Sequence, residues 1–520
     1  MYPFINVYIC ISKPKFSDYF LLLQTNPTQV ANPIKQLAGE TAIYGLSTIL
    51  ARIINFALVP LYTRVLTQSQ YGVVAEFMAY IAMLQVVLTL GLETGCFRYA
   101  SKEGADPGKV FSNAFVTVFG VCALFFGATA LFSGDIATAM GYPGFSKLIV
   151  YCGLILLIDC TTAILFAKLR HEHKALKFAV IKTLKILTEV AVNLLLYLVL
   201  AARFAEGSWR WVTRLVSATP DFTYPIFAIL VSCLVCLVLI APELFRLTFR
   251  LDRRLIRRLL VYSLPLMVAG LPGIMNDVLD RLLMRFINAD PVNWRADLGV
   301  YQAAVKLAVI MQLFVQMFRY AAEPFFFQRE RDKGSKKIYA DVLNYFTAFC
   351  MFGFVILMLF MDEIGLLLGR DFRVGLDITP IMLMAYVITG ILFNVNIWYK
   401  LSEKTGYAVW ITLAGLAVTV VVNVIFMPRY SYHAAAWGHI ASYLTMLLLT
   451  AALGRKYYPI PYNWGVVLLL MAAGLGVWGL STLLPTLGTG LKFLLHFLFV
   501  LLYVGVAFII FAIQKRRSVA

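Results

Sequence analysis

Fourteen stretches of roughly 20 predominantly apolar residues follow one another along this 520-residue chain, at approximately 41–62, 71–95, 110–132, 147–167, 178–201, 223–242, 259–286, 299–323, 339–361, 375–399, 407–427, 433–453, 464–484 and 491–513. The hydrocarbon core of a bilayer is crossed by about 20 helical residues. Inside it, backbone polar groups must be satisfied within the segment itself, which selects helices or closed barrels. Segments of this length predict an all-α integral membrane protein with about 14 transmembrane helices. Composition agrees: 61% of residues are hydrophobic and 14% charged, with a mean hydropathy of +0.81, whereas soluble domains run near 45–50% apolar and about 25% charged.

Basic residues set the expected orientation. With a cytoplasmic N-terminus, the inner segments hold 28 of the 45 Lys/Arg, the outer loops nine and the spans eight. Such a bias fits the positive-inside rule and predicts an N-in, C-in topology. It also excludes nucleic acid as a partner, because the net charge of +18 is spread over many short segments rather than one patch. Residues 1–38 read as a cytoplasmic arm without the features of a signal peptide. Spans 1–6 (39–242) form a first lobe and spans 7–12 (259–454) a second, while 455–520 holds the last two spans and a basic tail. Glu243 to Arg258 reads as a basic amphipathic helix on the inner leaflet, linking the lobes. The loop 202–222, with Trp209 and Trp211, is the longest outer connection.

The charges inside the spans bear on function. Arg52, Lys182, Lys185, Arg281, Arg285, Lys306, Arg319 and Lys492 all lie within them. A cation at mid-membrane depth costs about 2.5–3.5 kcal/mol on insertion scales, so it needs a polar cavity, a partner or a route to the interface. Arg52 is the deepest and either lines a cavity or pairs with Glu93 or Asp159. Lys185 either pairs with Glu189 or meets an anion. Arg281 either pairs with Asp277 one turn away or binds ligand. Lys306 ranks above Arg319, which lies beside Glu323. Lys182 and Arg285 are placed to snorkel, and Lys492 to anchor at the interface. The acids Glu93, Asp159, Glu189, Asp277, Asp280 and Glu323 are candidates either for ion coupling or for holding cations in place. The Cys233/Cys236 pair lies within an apolar helix and reads as packing. His171 and His173 read as a solvated basic turn. No metal, cofactor or enzymatic signature emerges; Gly488 to Lys492 lacks the spacing of a phosphate-binding loop.

Two blocks carry a family resemblance. Pro60 to Gly72 (PLYTRVLTQSQYG), following the Arg of span 1, leads to GLETGCFRY at Gly91 to Tyr99. The second block, Asn276 to Ala308, carries a DR…GxY…K pattern. Both resemble the Wzx-type polysaccharide and oligosaccharide flippases of the multidrug/oligosaccharidyl-lipid/polysaccharide exporter superfamily. The resemblance implies two six-helix lobes around a cavity, with two further C-terminal helices. It also implies movement of an undecaprenyl-pyrophosphate-linked glycan across a bacterial cytoplasmic membrane by alternating access, for O-antigen, capsule or exopolysaccharide. A glycan polymerase and glycosyltransferases would be the accompanying proteins, and membrane lipids its surroundings. A diphosphate cargo suits the cations Arg52, Lys185, Arg281, Lys306 and Arg319, since guanidinium donates paired charge-assisted hydrogen bonds to phosphate. The alternatives are a cation-coupled multidrug antiporter, whose cavity should be acidic, and a peptidoglycan-precursor flippase.

Overall fold

The computed structural model describes residues 45, 49–50, 52–200, 215–329, 332, 334–483 and 489–519. The N-terminal arm, the start of the first expected span and most of the 202–222 loop, with Trp209 and Trp211, lie outside them. The described residues form helices and no strand: α1 (Val59–Val65), α2 (Gln68–Leu88), α3 (Leu92–Ala100), α4 (Pro107–Leu131), α5 (Ser133–Ala139), α6 (Ser146–His171), α7 (Ala175–Leu194), α8 (Thr223–Leu244), α9 (Arg253–Ile287), α10 (Trp294–Gln328), α11 (Ser335–Leu359), α12 (Thr379–Val395), α13 (Gly406–Tyr457), α14 (Trp464–Thr482) and α15 (Thr489–Val519). Eleven helical stretches among them are long and apolar enough to cross a membrane. The chain is an all-α, multi-pass membrane protein.

The expected spans map onto these helices with two informative differences. The 52-residue α13 covers two of them, 407–427 and 433–453, folded back at Ser431 (φ 46°, ψ −131°). The expected span 178–201 falls on α7 and the π-helical turn Leu195–Leu200, but Lys182, Lys185 and Glu189 make it less apolar than the eleven.

Helix ends follow local chemistry. Asp106 accepts from the Lys109 N–H at 3.2 Å ahead of Pro107, and Asn463 accepts from the Val466 N–H at the start of α14. Such caps satisfy donors that lack intrahelical partners. The segment Glu243 to Arg258 is not the continuous amphipathic helix expected. α8 ends at Leu244 just past Pro242, residues 247–252 are non-helical, and Asp252 starts α9 by accepting from the N–H groups of Arg254 and Leu255. An Asx cap and an interior proline override the apolar periodicity.

The fold divides into two compact units. One holds Tyr80–Ile274 with the described part of Met1–Asn55, and the other holds Phe56–Ala79 with Met275–Ala520. The division falls inside α9, two residues past Pro272. In the first unit α6 packs against α4 and α8, and α8 against α7. Gly91 (φ +66°) lies against the Ser263 carbonyl so closely that a Cβ there would collide.

In the second unit α12 is almost wholly buried, between α10, α11 and α13, while α14 and α15 pack on α11. The starts of α2 and α10 cross here with backbones in contact. A Cβ on Gly72 would strike the Arg295 carbonyl, and one on Gly299 the Gln68 carbonyl. The two Gly/Tyr pairs, Tyr71-Gly72 and Gly299-Val300-Tyr301, thus form one crossing point. Thr63 Oγ1 accepts from the Gly369 N–H at 2.9 Å and fastens α1 to the same region.

Candidate functional site

The polar residues of each unit converge on buried clusters, and in both the cations are met by acids. In the second unit α9 presents Asn276, Asp277, Asp280 and Arg281, residues one turn apart in two pairs. Arg281, 4% exposed, donates to Gln302 Oε1 at 3.0 Å, to the Asp280 carboxylate at 3.3 Å and to the Asp277 carbonyl. Asp280 has no exposed surface and also receives the Tyr301 hydroxyl, with His439 Nε2 3.2 Å away. Tyr443 donates to Asp277 at 3.0 Å. Asn276 Oδ1 accepts from Ser442 at 2.8 Å and from Thr419, which joins α9 to both legs of the α13 hairpin.

The Asp277–Arg281 pair expected within α9 is therefore a bond to the Asp277 backbone, while the ion pair is to Asp280. Two carboxylates, Asp277 and Asp280, thus lie close to the one guanidinium of Arg281. Burying such a set is tolerable only when nearly every member is bonded. The exception is His439 Nδ1, buried without a hydrogen-bond partner among the described residues.

Further along α9, Arg285 does not snorkel. It pairs at 2.8 Å with Glu76, which is fully buried on α2. Toward the other end of α10, Arg319 lies 3.9 Å from Glu323, and Lys400 binds the same carboxylate at 2.6 Å. Lys306 is half-buried on α10. Lys492 is tied to Asp362 and Glu363, each at 2.9 Å.

In the first unit the buried Lys185 on α7 meets Asp159 on α6 at 2.6 Å, with the Cys233 thiol 3.2 Å from the same carboxylate oxygen. Lys185 is thus paired across helices, and the Cys233/Cys236 segment packs beside that pair. Lys182 lies over the Phe166 ring at 4.2 Å, and Glu189 is half-buried on α7. Glu93 accepts from Arg170 at 2.8 Å. Fully buried Glu243 gathers Lys168 (2.9 Å), Lys177 (2.6 Å) and Arg246 (3.2 Å). His171 is no solvated turn residue: it packs half-buried against Phe97 and Phe111. Arg52 is helical and half-buried. No cluster of three or more His, Cys, Asp or Glu suited to a metal occurs among the described residues.

Glu76, Glu243 and His439 were not among the expected site residues. Glu76 has a signal in the sequence, as an acid inside the apolar run 71–95. His439 has one too, as the single His of the run 433–453 besides His433.

A family model described as "Polysaccharide biosynthesis protein" matches residues 37–330. Two solved structures resemble the fold. "Lipid II flippase MurJ, inward closed conformation" is 14% identical, with 92% of this chain and 99% of that chain covered and a TM-score of 0.69. "Inward-facing conformation of a multidrug resistance MATE family transporter of the MOP superfamily" is 14% identical, with 80% and 94% covered and a TM-score of 0.60. At such identities the likeness is one of fold. No curated protein sequence matches at a significant level.

Proposed function

Because the chain belongs to the polysaccharide biosynthesis protein family, we propose that it is a flippase that carries a polyprenyl-pyrophosphate-linked oligosaccharide from the inner to the outer leaflet of a bacterial cytoplasmic membrane by alternating access. The glycan would serve O-antigen, capsule or exopolysaccharide assembly, with glycosyltransferases supplying it and a polymerase consuming it. The observation that carries this reading is the family match over residues 37–330, more than half of the chain. Among the span-borne cations, Lys185, Arg281 and Arg285 are each bound to a buried carboxylate and hold helices together. A guanidinium suits a diphosphate, so Arg52 is the proposed contact, and Lys185, Arg281 and Arg319 support their helices.

The same reading assigns coupling to the carboxylates of Asp277 and Asp280. A proton taken up there would cancel the cluster's excess negative charge, and its loss would restore it. That gives the second unit two charge states to alternate between.

The test is made in the bacterium that encodes the chain. Arg52→Ala should leave membrane levels normal, abolish surface polysaccharide and make the lipid-linked glycan accumulate in the inner leaflet. Normal surface polysaccharide in that strain would sink the assignment. Loss of cell-wall precursor export instead would transfer it to a peptidoglycan-precursor flippase, and increased sensitivity to organic cations to a multidrug antiporter.

A further inference from the structure

Between the last turn of α13 and the first of α14, the second unit holds a recess of about 220 Å³. At roughly 30 Å³ per water it has space for about seven waters, enough for a compact polar group. Its walls are largely aromatic, with Trp398, Tyr458, Tyr462 and Trp464 around Gly454, and Arg455 lines it as well. The walls are fixed. Trp398 donates through Nε1 to Thr450 at 2.9 Å and stacks on Tyr457 with ring centres 5.9 Å apart. Tyr462 and Trp464 meet edge to face at 5.8 Å. Gly454 keeps the floor open, since a Cβ there would press on the Trp398 ring.

The charge around the recess has one dominant sign. Arg455 is exposed and has no acidic partner among the described residues. Lys336 lies over the Tyr458 ring at 4.6 Å, while Lys404 and Lys456 lie over Tyr457 at 3.6 and 5.4 Å. The N-terminus of the 19-residue α14 opens at the same place, adding the positive end of a helix dipole. A basic, aromatic-walled recess at the ends of two membrane-crossing helices matches the level where lipid headgroups lie.

We infer that this recess binds the phosphate headgroup of an anionic phospholipid, with the Arg455 guanidinium on the phosphate and the glycerol against the Trp398, Tyr462 and Trp464 rings. A zwitterionic choline headgroup would bring its cation beside Arg455 and Lys336, so it should be disfavoured.

Thermal unfolding of the full-length protein, delipidated in neutral detergent, tests this. Added phosphatidylglycerol should raise Tm in a saturable way, and phosphatidylcholine should not. Arg455→Gln should weaken the apparent affinity for phosphatidylglycerol about tenfold, the loss of one charge-assisted contact. Arg429→Gln, an exposed arginine elsewhere on α13, should leave it unchanged. Comparable starting Tm values in both variants exclude misfolding as the cause. Equal stabilisation by both lipids, or undiminished affinity in Arg455→Gln, would overturn the assignment. A response to inorganic phosphate alone would also overturn it, by showing a soluble-anion site.

Discussion

Replacing Asp159 by Asn removes the carboxylate that faces Lys185 at 2.6 Å and keeps the side chain's shape. Both side chains are 10% exposed, so the ammonium left behind gains little from solvent. The Cys233 thiol beside the pair cannot neutralise it. Breaking a buried ion pair from one side costs about 3–5 kcal/mol, and the residual exposure argues for the lower end. At about 2–4 °C per kcal/mol for a unit of 150–250 residues, 3 kcal/mol corresponds to a Tm loss of roughly 6–12 °C. The assay is thermal unfolding of the purified protein in detergent, followed by tryptophan fluorescence. Asp159→Leu combined with Lys185→Met should recover most of the loss, because removing a buried pair altogether is often near neutral. An unchanged Tm in Asp159→Asn, or a double variant as unstable as the single, would refute the view that this pair clamps α6 to α7. Export by the double variant then separates roles: near-normal export is expected if the pair is structural.

Two further outcomes follow from other contacts. Gly72→Val should abolish accumulation of folded protein, measured as the monodisperse fraction on gel filtration, because the side chain would occupy the Arg295 carbonyl's position where α2 crosses α10. At the start of α9, the Lys109 ammonium donating to Asp252, with the N–H groups of Leu255 and Arg254, holds that carboxyl below its ordinary value of 3.8. A lowered pKa stabilises the fold above the unfolded value and is lost as pH falls through the folded one. The Tm difference between wild type and Lys109→Gln should therefore be constant near neutrality and close only below pH 3.8.

How much of this was legible in the sequence differs by residue. The spans were, because the bilayer demands a length and an apolarity that each segment displays by itself. The pairing of the deep charges was not. Arg285 finds Glu76 across 209 positions, and His439 reaches Asp280 across 159. No periodicity encodes such contacts, since they depend on which helices become neighbours. Lys185 illustrates the error that results: Glu189, a turn away, looked like the natural partner, yet the inter-helix carboxylate of Asp159 holds it. Glu76 stands in the apolar run 71–95, where an acid raises the same physical question as an arginine. The linker 243–258 misled differently, for its apolar spacing was real but Pro242 and the Asp252 cap decided the backbone.

The fold-back at Ser431 has a consequence for how the chain enters its membrane. The two legs of α13 meet with so few residues between them that no separate loop exists to be carried across; Arg429 is the one basic residue at the bend. The short bend predicts that the two legs insert together as a hairpin, with Gly415 packed on Ser442 and Met446, and Gly438 on Asn423. A tag or reporter placed at 429–432 would then fail at biogenesis, before transport could be measured.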